Sequence, residues 1–139
     1  MIRSIIDGMT AAIRSEYDET FTVYTESTEQ DLKKPCFSIL CLKSTNEQKV
    51  GTRRDRTYSC VVSYYPESTE PMKECLNVME NLYELLEIID VDSKKIRGKD
   101  MKCEFEEGIL KFEITYTVSM AVTVVETTME ALEVKTDGN

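Results

Sequence analysis

Thiols, carboxylates and one short basic cluster are the side chains with which this 139-residue chain could do chemistry, and histidine is absent altogether. That absence removes a Ser-His-Asp triad, a Cys-His dyad, a histidine general base and histidine-containing zinc sites. The five cysteines are Cys36, Cys41, Cys60, Cys75 and Cys103. Cysteine-only zinc sites want close pairs of the C-x-x-C kind. Cys36 and Cys41 lie five apart on one extended segment, so they point to opposite faces. An odd cysteine count without an export signal reads as reduced thiols serving as small core hydrophobes. Asp90 and Asp92 stand close together and read as solvated charges in a turn, with a metal or acid–base role as the alternative. Only five glycines are present and none builds a phosphate-binding loop. The expectation is therefore no catalytic residue, no bound metal and no cofactor. A small carboxylate- or Mg²⁺-dependent hydrolase, or a small-molecule or peptide-binding module, stays open as the alternative.

Positive charge concentrates once, at Lys49, Arg53, Arg54 and Arg56, in a chain whose formal charge is −9 from 17 basic and 26 acidic residues. An acidic domain repels a phosphate backbone, so broad nucleic-acid binding is not expected. The cluster suits contact with an acidic protein surface or a phosphate, or it is simply a solvated loop. Apolar runs fall short of the ~18–20 residues that span a bilayer. Asp7, Gly8 and Thr10 interrupt the apolar N-terminus too early for a signal peptide, so the protein is expected to remain where it is made, off the membrane.

The elements that must position these groups follow from periodicity. Ile2, Ile5, Ile6, Met9, Ile13 and Tyr17 recur at helical steps and predict an amphipathic helix over 2–17. Phe21 and Val23 alternate with Thr22 and Tyr24 as in a short strand. A polar connection, 26–35, ends at Pro35, and a second strand covers 36–43 with apolar residues on both faces. A long polar loop is expected over 44–55, then a third strand over 57–65. Pro66 to Pro71 is a helix start, with Ser68 or Thr69 as cap. The second helix should run to about Ile89, burying Met72, Cys75, Leu76, Met79, Leu82, Tyr83, Leu86 and Ile89, with Glu74, Glu80, Glu84 and Glu87 in water. After a polar turn region over 90–100, Met101 to Phe105 and the long alternation from Leu110 to Val122 form a hairpin around Glu106-Glu107-Gly108. The predicted fold is α+β, in the order α-β-β-β-α-β-β. Two helices pack on one face of a mostly antiparallel five-stranded sheet. One domain, 1–125, precedes a flexible C-terminal tail, 126–139.

Several stretches also carry a likeness. Ile6-Asp7-Gly8-Met9-Thr10-Ala11-Ala12-Ile13, Val23-Tyr24-Thr25-Glu26, Glu29 to Phe37 and Tyr64-Tyr65-Pro66-Glu67-Ser68 together resemble the tail terminator (tail completion) proteins of long-tailed bacteriophages and prophages. The likeness covers about residues 2–125. It implies a structural, non-enzymatic subunit of the virion tail, made in the host bacterial cytoplasm, that assembles with itself into a ring, typically a hexamer. It also implies contact with the major tail tube protein on one side and with a head-completion or connector protein on the other. DNA would pass through an acid-lined channel without specific binding. On that basis the 44–56 and 26–35 loops are the expected assembly contacts. Lys49, Arg53, Arg54 and Arg56 serve in the first, and Glu29, Gln30, Asp31 and Lys33 in the second.

Overall fold

Ile5, Met9 and Ile13 share one stripe of the first helix, α1 (Ile2–Arg14), and all three are fully buried. Tyr17, one turn beyond, joins the same core. A mid-helix glycine costs about 1 kcal/mol relative to alanine, yet Gly8 has a packing reason. A Cβ there would lie 2.5 Å from the backbone oxygen of Asp90, so only glycine lets the helix rest on the strand that carries Asp90. The computed structural model describes residues 1–25, 32–126 and 132–137.

Within those residues the chain is α+β. After α1 come β1 (Thr22–Tyr24), β2 (Cys36–Gln48), β3 (Arg53–Tyr65), α2 (Pro71–Leu85), β4 (Ile88–Val91), β5 (Lys94–Glu106), β6 (Ile109–Glu126) and β7 (Leu132–Asp137). The strands form one mixed sheet in the order β1-β2-β3-β6-β5-β4, with β7 paired to β6. β1 runs parallel to β2, and every other pairing is antiparallel.

Four corrections to the sequence reading arise here. The sheet has seven strands rather than five, and it is mixed. The stretch expected as a loop over 44–55 is mostly ribbon. β2 and β3 stay paired from Cys36↔Tyr65 to Gln48↔Arg54, with one bulge between Cys41 and Lys43, and only the few residues around Gly51, itself at φ +71°, turn. Polar residues occupy both faces of this distal ribbon, so hydropathy alternation gives no strand signal; backbone pairing makes the strand. The second helix stops at Leu85, and Ile88–Val91 is a strand that turns back into β5 through Asp92 and Ser93, both at positive φ. Finally, the expected tail contains β7, which extends the ladder from Ala121↔Asp137 to Glu126↔Leu132.

The core lies between the helices and one sheet face. Cys60, Val62 and Tyr64 of β3 and Leu110, Phe112, Ile114 and Tyr116 of β6 point into it, beneath Cys75, Val78 and Leu82 of α2. Val78 replaces Met72 and Leu76 in the expected stripe; those two remain 51% and 47% exposed. The Tyr17, Phe21, Phe37 and Tyr64 rings cluster at one end, with Tyr17 and Phe37 centroids 5.1 Å apart. Tyr116 carries its hydroxyl into the interior and satisfies it on the Leu86 carbonyl at 2.7 Å. That bond fixes the point where α2 hands over to β4.

Candidate functional site

The basic residues expected at one assembly contact and Lys33, the described residue of the other, lie at opposite ends of β2. Lys49, Arg53, Arg54 and Arg56 belong to the tip and distal arm of the β2–β3 ribbon. Lys33 lies just before the start of β2, where its backbone N–H donates to the Tyr24 hydroxyl at 3.1 Å. The twelve steps along β2 (48 − 36) separate these ends by about 40 Å at ~3.3 Å per residue. Glu29, Gln30 and Asp31 lie outside the described residues. Lys33 is thus well separated from the basic residues of the ribbon.

At the ribbon tip the charges are arranged for display. Lys49 pairs with Glu47 at 3.0 Å, and this hydrogen bond raises its pKa above the usual lysine value. Arg54 donates to the Arg53 carbonyl at 2.9 Å, and Arg56 donates to the Asn46 side chain at 3.2 Å. Strand alternation puts Arg54 and Arg56 on the helix-side face and Arg53 on the other. Asp55, on the Arg53 face, accepts from the Ser119 hydroxyl at 2.7 Å. Cations therefore project from both faces of β3, whose backbone is paired with β2 on one side and β6 on the other.

The sheet face away from the helices is polar and carries further cross-strand pairs. Ser59 and Thr115 hydroxyls lie 3.3 Å apart, the Thr45 and Thr57 hydroxyls are hydrogen-bonded, and Lys102 sits 3.8 Å from Glu113. Asp90, one of the two carboxylates weighed for a metal role, is paired with Lys95 at 3.0 Å, and Asp92 occupies the tight β4–β5 turn. Among the described residues no group of three or more histidine, cysteine or acidic side chains is placed to hold a metal ion. No helix is long and apolar enough to cross a membrane.

The thiols are placed as core groups. Burial pushes the Cys60 thiol up to about 12, with Cys41 beside it on β2 adding to the shift. Burial likewise raises Cys36 and Cys75, and takes Cys103 to about 11. Thiols held protonated at neutral pH are poor nucleophiles.

Sequence reading missed Glu74. It was expected in water on α2, but it accepts from the Tyr64 hydroxyl and from the backbone N–H groups of Glu67, at 3.2 Å, and Ser68, at 2.9 Å. The cap expected of Ser68 or Thr69 is not made: Glu70 is the N-cap residue without a side-chain cap bond, and the Ser68 hydroxyl accepts from the Glu70 N–H at 3.2 Å. A carboxylate on the first helical turn after a loop of orphan N–H groups is the signal that could have identified Glu74.

The fold is that of a small α+β subunit that displays a charged ribbon and a polar sheet face. The chain is a member of the phage tail terminator family, whose model, described as phage tail terminator protein, matches residues 4–129. No curated protein matches the sequence. Membership makes the chain a component of a phage tail.

Proposed function

We propose that this chain ends tail growth by capping the last ring of the tail tube with a ring of its own copies, and that its opposite surface receives the head-completion proteins. The family match over residues 4–129 carries this reading. Termination requires a subunit that complements the tube on one side and refuses another tube ring on the other. Two surfaces about 40 Å apart, at the two ends of β2, suit that division. The ribbon tip with Lys49, Arg53, Arg54 and Arg56 is one contact, and the 26–35 region with Glu29, Gln30, Asp31 and Lys33 is the other. Six copies per ring, synthesis in the host cytoplasm and incorporation into the virion tail complete the proposal. The excess of acidic residues lets DNA pass the ring without sticking.

The test uses polymerising tube protein in solution. Adding this protein in increasing amounts should shorten the tubes and place it at one end only, as immunogold labelling would show. Tubes that grow to the same length at every ratio, with label along their sides or absent, would refute the capping role.

A further inference from the structure

Among the described residues the sheet ends in two strand edges, β5 and β2, each largely open. Among the described residues, β4 pairs with β5 only at 94–97, and β1 pairs with β2 only at 36–38. This leaves 99–106 of β5 and 39–48 of β2 without a strand partner on their outer sides. We propose that these edges join between copies of this chain, β5 of one subunit pairing antiparallel with β2 of the next, with Glu104 opposite Lys43 and Lys99 opposite Glu47. The proposal rests on the self-assembling ring reading above and gives it a defined interface.

Topology sets the direction. β2, β3, β6 and β5 are successively antiparallel, so β5 runs opposite to β2. Turning a copy about an axis roughly along the strands brings its β2 beside β5 as an antiparallel neighbour. The contact is head-to-tail, which is the kind that generates rings when the rotation closes.

Charge and face then choose the register. Across the sheet Lys99 lies level with Lys43, through Thr115 and Ser59. Joining copies without a slide therefore sets Lys99 against the neighbour's Lys43. A two-residue slide sets Lys102 against Lys43 instead, another like-charge pair, which destabilises a ladder. One- or three-residue slides turn the helix-side row of one copy against the polar row of the next. A four-residue slide places Glu104 against Lys43 and Lys99 against Glu47, since Glu104 lies level with Ser38 and Lys99 with Lys43. Among the described residues Lys43, Lys99 and Glu104 have no ion-pair partner within their own subunit, while Glu47 already pairs with Lys49. The same slide sets 99–106 against 40–47, clear of both β4 and β1.

Apolar exposure follows the same seam. Leu42 on the β2 edge is 64% exposed. Met72 and Leu76 lie on the flank of α2 away from Glu74 and Tyr64, and so towards β5. A slide of four residues over four strands is one residue per strand, the ratio that gives a closed sheet a strand tilt of about 36°. The bulges between Cys41 and Lys43 and between Lys99 and Lys102 fall at different levels in this register, where they deter other pairings without interrupting each other.

The test places a second thiol in the seam. The predicted register sets Ser44 opposite the neighbour's Cys103, so the full chain carrying Ser44→Cys should give an intermolecular disulfide ladder under mild copper-phenanthroline oxidation. The ladder should appear on tails and in concentrated free protein, and vanish in Ser44→Cys/Cys103→Ser. Lys43→Glu or Glu104→Lys in that background should cut its yield by about three- to tenfold, and the double charge swap should restore it. No ladder in either setting, or a swap that fails to restore it, overturns the pairing. Tails of normal length without a ladder would overturn the pairing and leave termination standing. Overgrown tails with a ladder in free protein would do the reverse.

Discussion

Glu74 stands on the first turn of α2, and three donors converge on its carboxylate from β3 and the loop that follows. Partial burial works to raise its pKa, but the hydrogen bonds from Tyr64 and Ser68 outweigh it and leave the carboxyl below its usual value. A carboxyl depressed in the folded state adds stability above its unfolded pKa, and that stability is lost as pH falls through the folded value. Glu74→Gln should therefore cost about 1–2 kcal/mol near neutral pH. In urea melts the gap to the parent protein should close as the pH drops below the ordinary carboxylate range. A gap that stays constant well below that range would show that the charge does not matter. Gly98 makes a second residue-scale prediction. A Cβ there would lie 2.3 Å from Ile114 Cδ1, and its N–H already donates to the Glu87 carbonyl at 2.6 Å. Gly98→Ala should cost about 1–3 kcal/mol by overpacking, read as a lowered Tm.

At the scale of elements, legibility followed burial. α1 and the β6 alternation could be read directly because each has one apolar side facing a core. In β6, for example, Leu110, Phe112, Ile114 and Tyr116 are buried while Lys111 is exposed. Where an element is held by its backbone, the sequence carries little sign of it. The outer halves of β2 and β3, Ser44 to Gln48 and Arg53 to Arg56, are polar on both faces and look like a loop. β4 was hidden because Ile88 and Ile89 prolong the α2 periodicity, although Ile88 is 44% exposed and only Ile89 and Val91 turn inward. The turn after it lacks the usual Asn-Gly or Asp-Gly signal. Ser93 sits there at φ +68°, a conformation that favours glycine. Ser93→Gly should thus stabilise the β4–β5 hairpin by about 0.5–1 kcal/mol, seen as a raised Tm. A lowered Tm would mean that the Ser93 side chain contributes more than its backbone strain costs.

On the scale of the whole molecule, separate contacts are proposed at the two ends of β2 and at the two strand edges. The basic cluster was visible in the sequence because charge at a ribbon tip needs no burial to be noticed. Its separation from Lys33 was not, because distance between loops depends on the length of the strand that joins them. Charge reversal at Arg53, Arg54 and Arg56 touches one cross-strand hydrogen bond, from Arg56 to Asn46. Such exposed polar contacts contribute under about 1 kcal/mol. The triple variant should therefore keep a Tm close to that of the parent yet co-sediment poorly with tails. Undiminished co-sedimentation would remove the ribbon tip from the contact surface.

Tail length in particles made without this protein tests termination most directly. Electron micrographs of lysates from a phage lacking its gene should show tails of broad, excessive length without heads, and supplying the gene in trans should restore one narrow length class. Tails of normal, uniform length joined to heads in its absence would contradict the role assigned here.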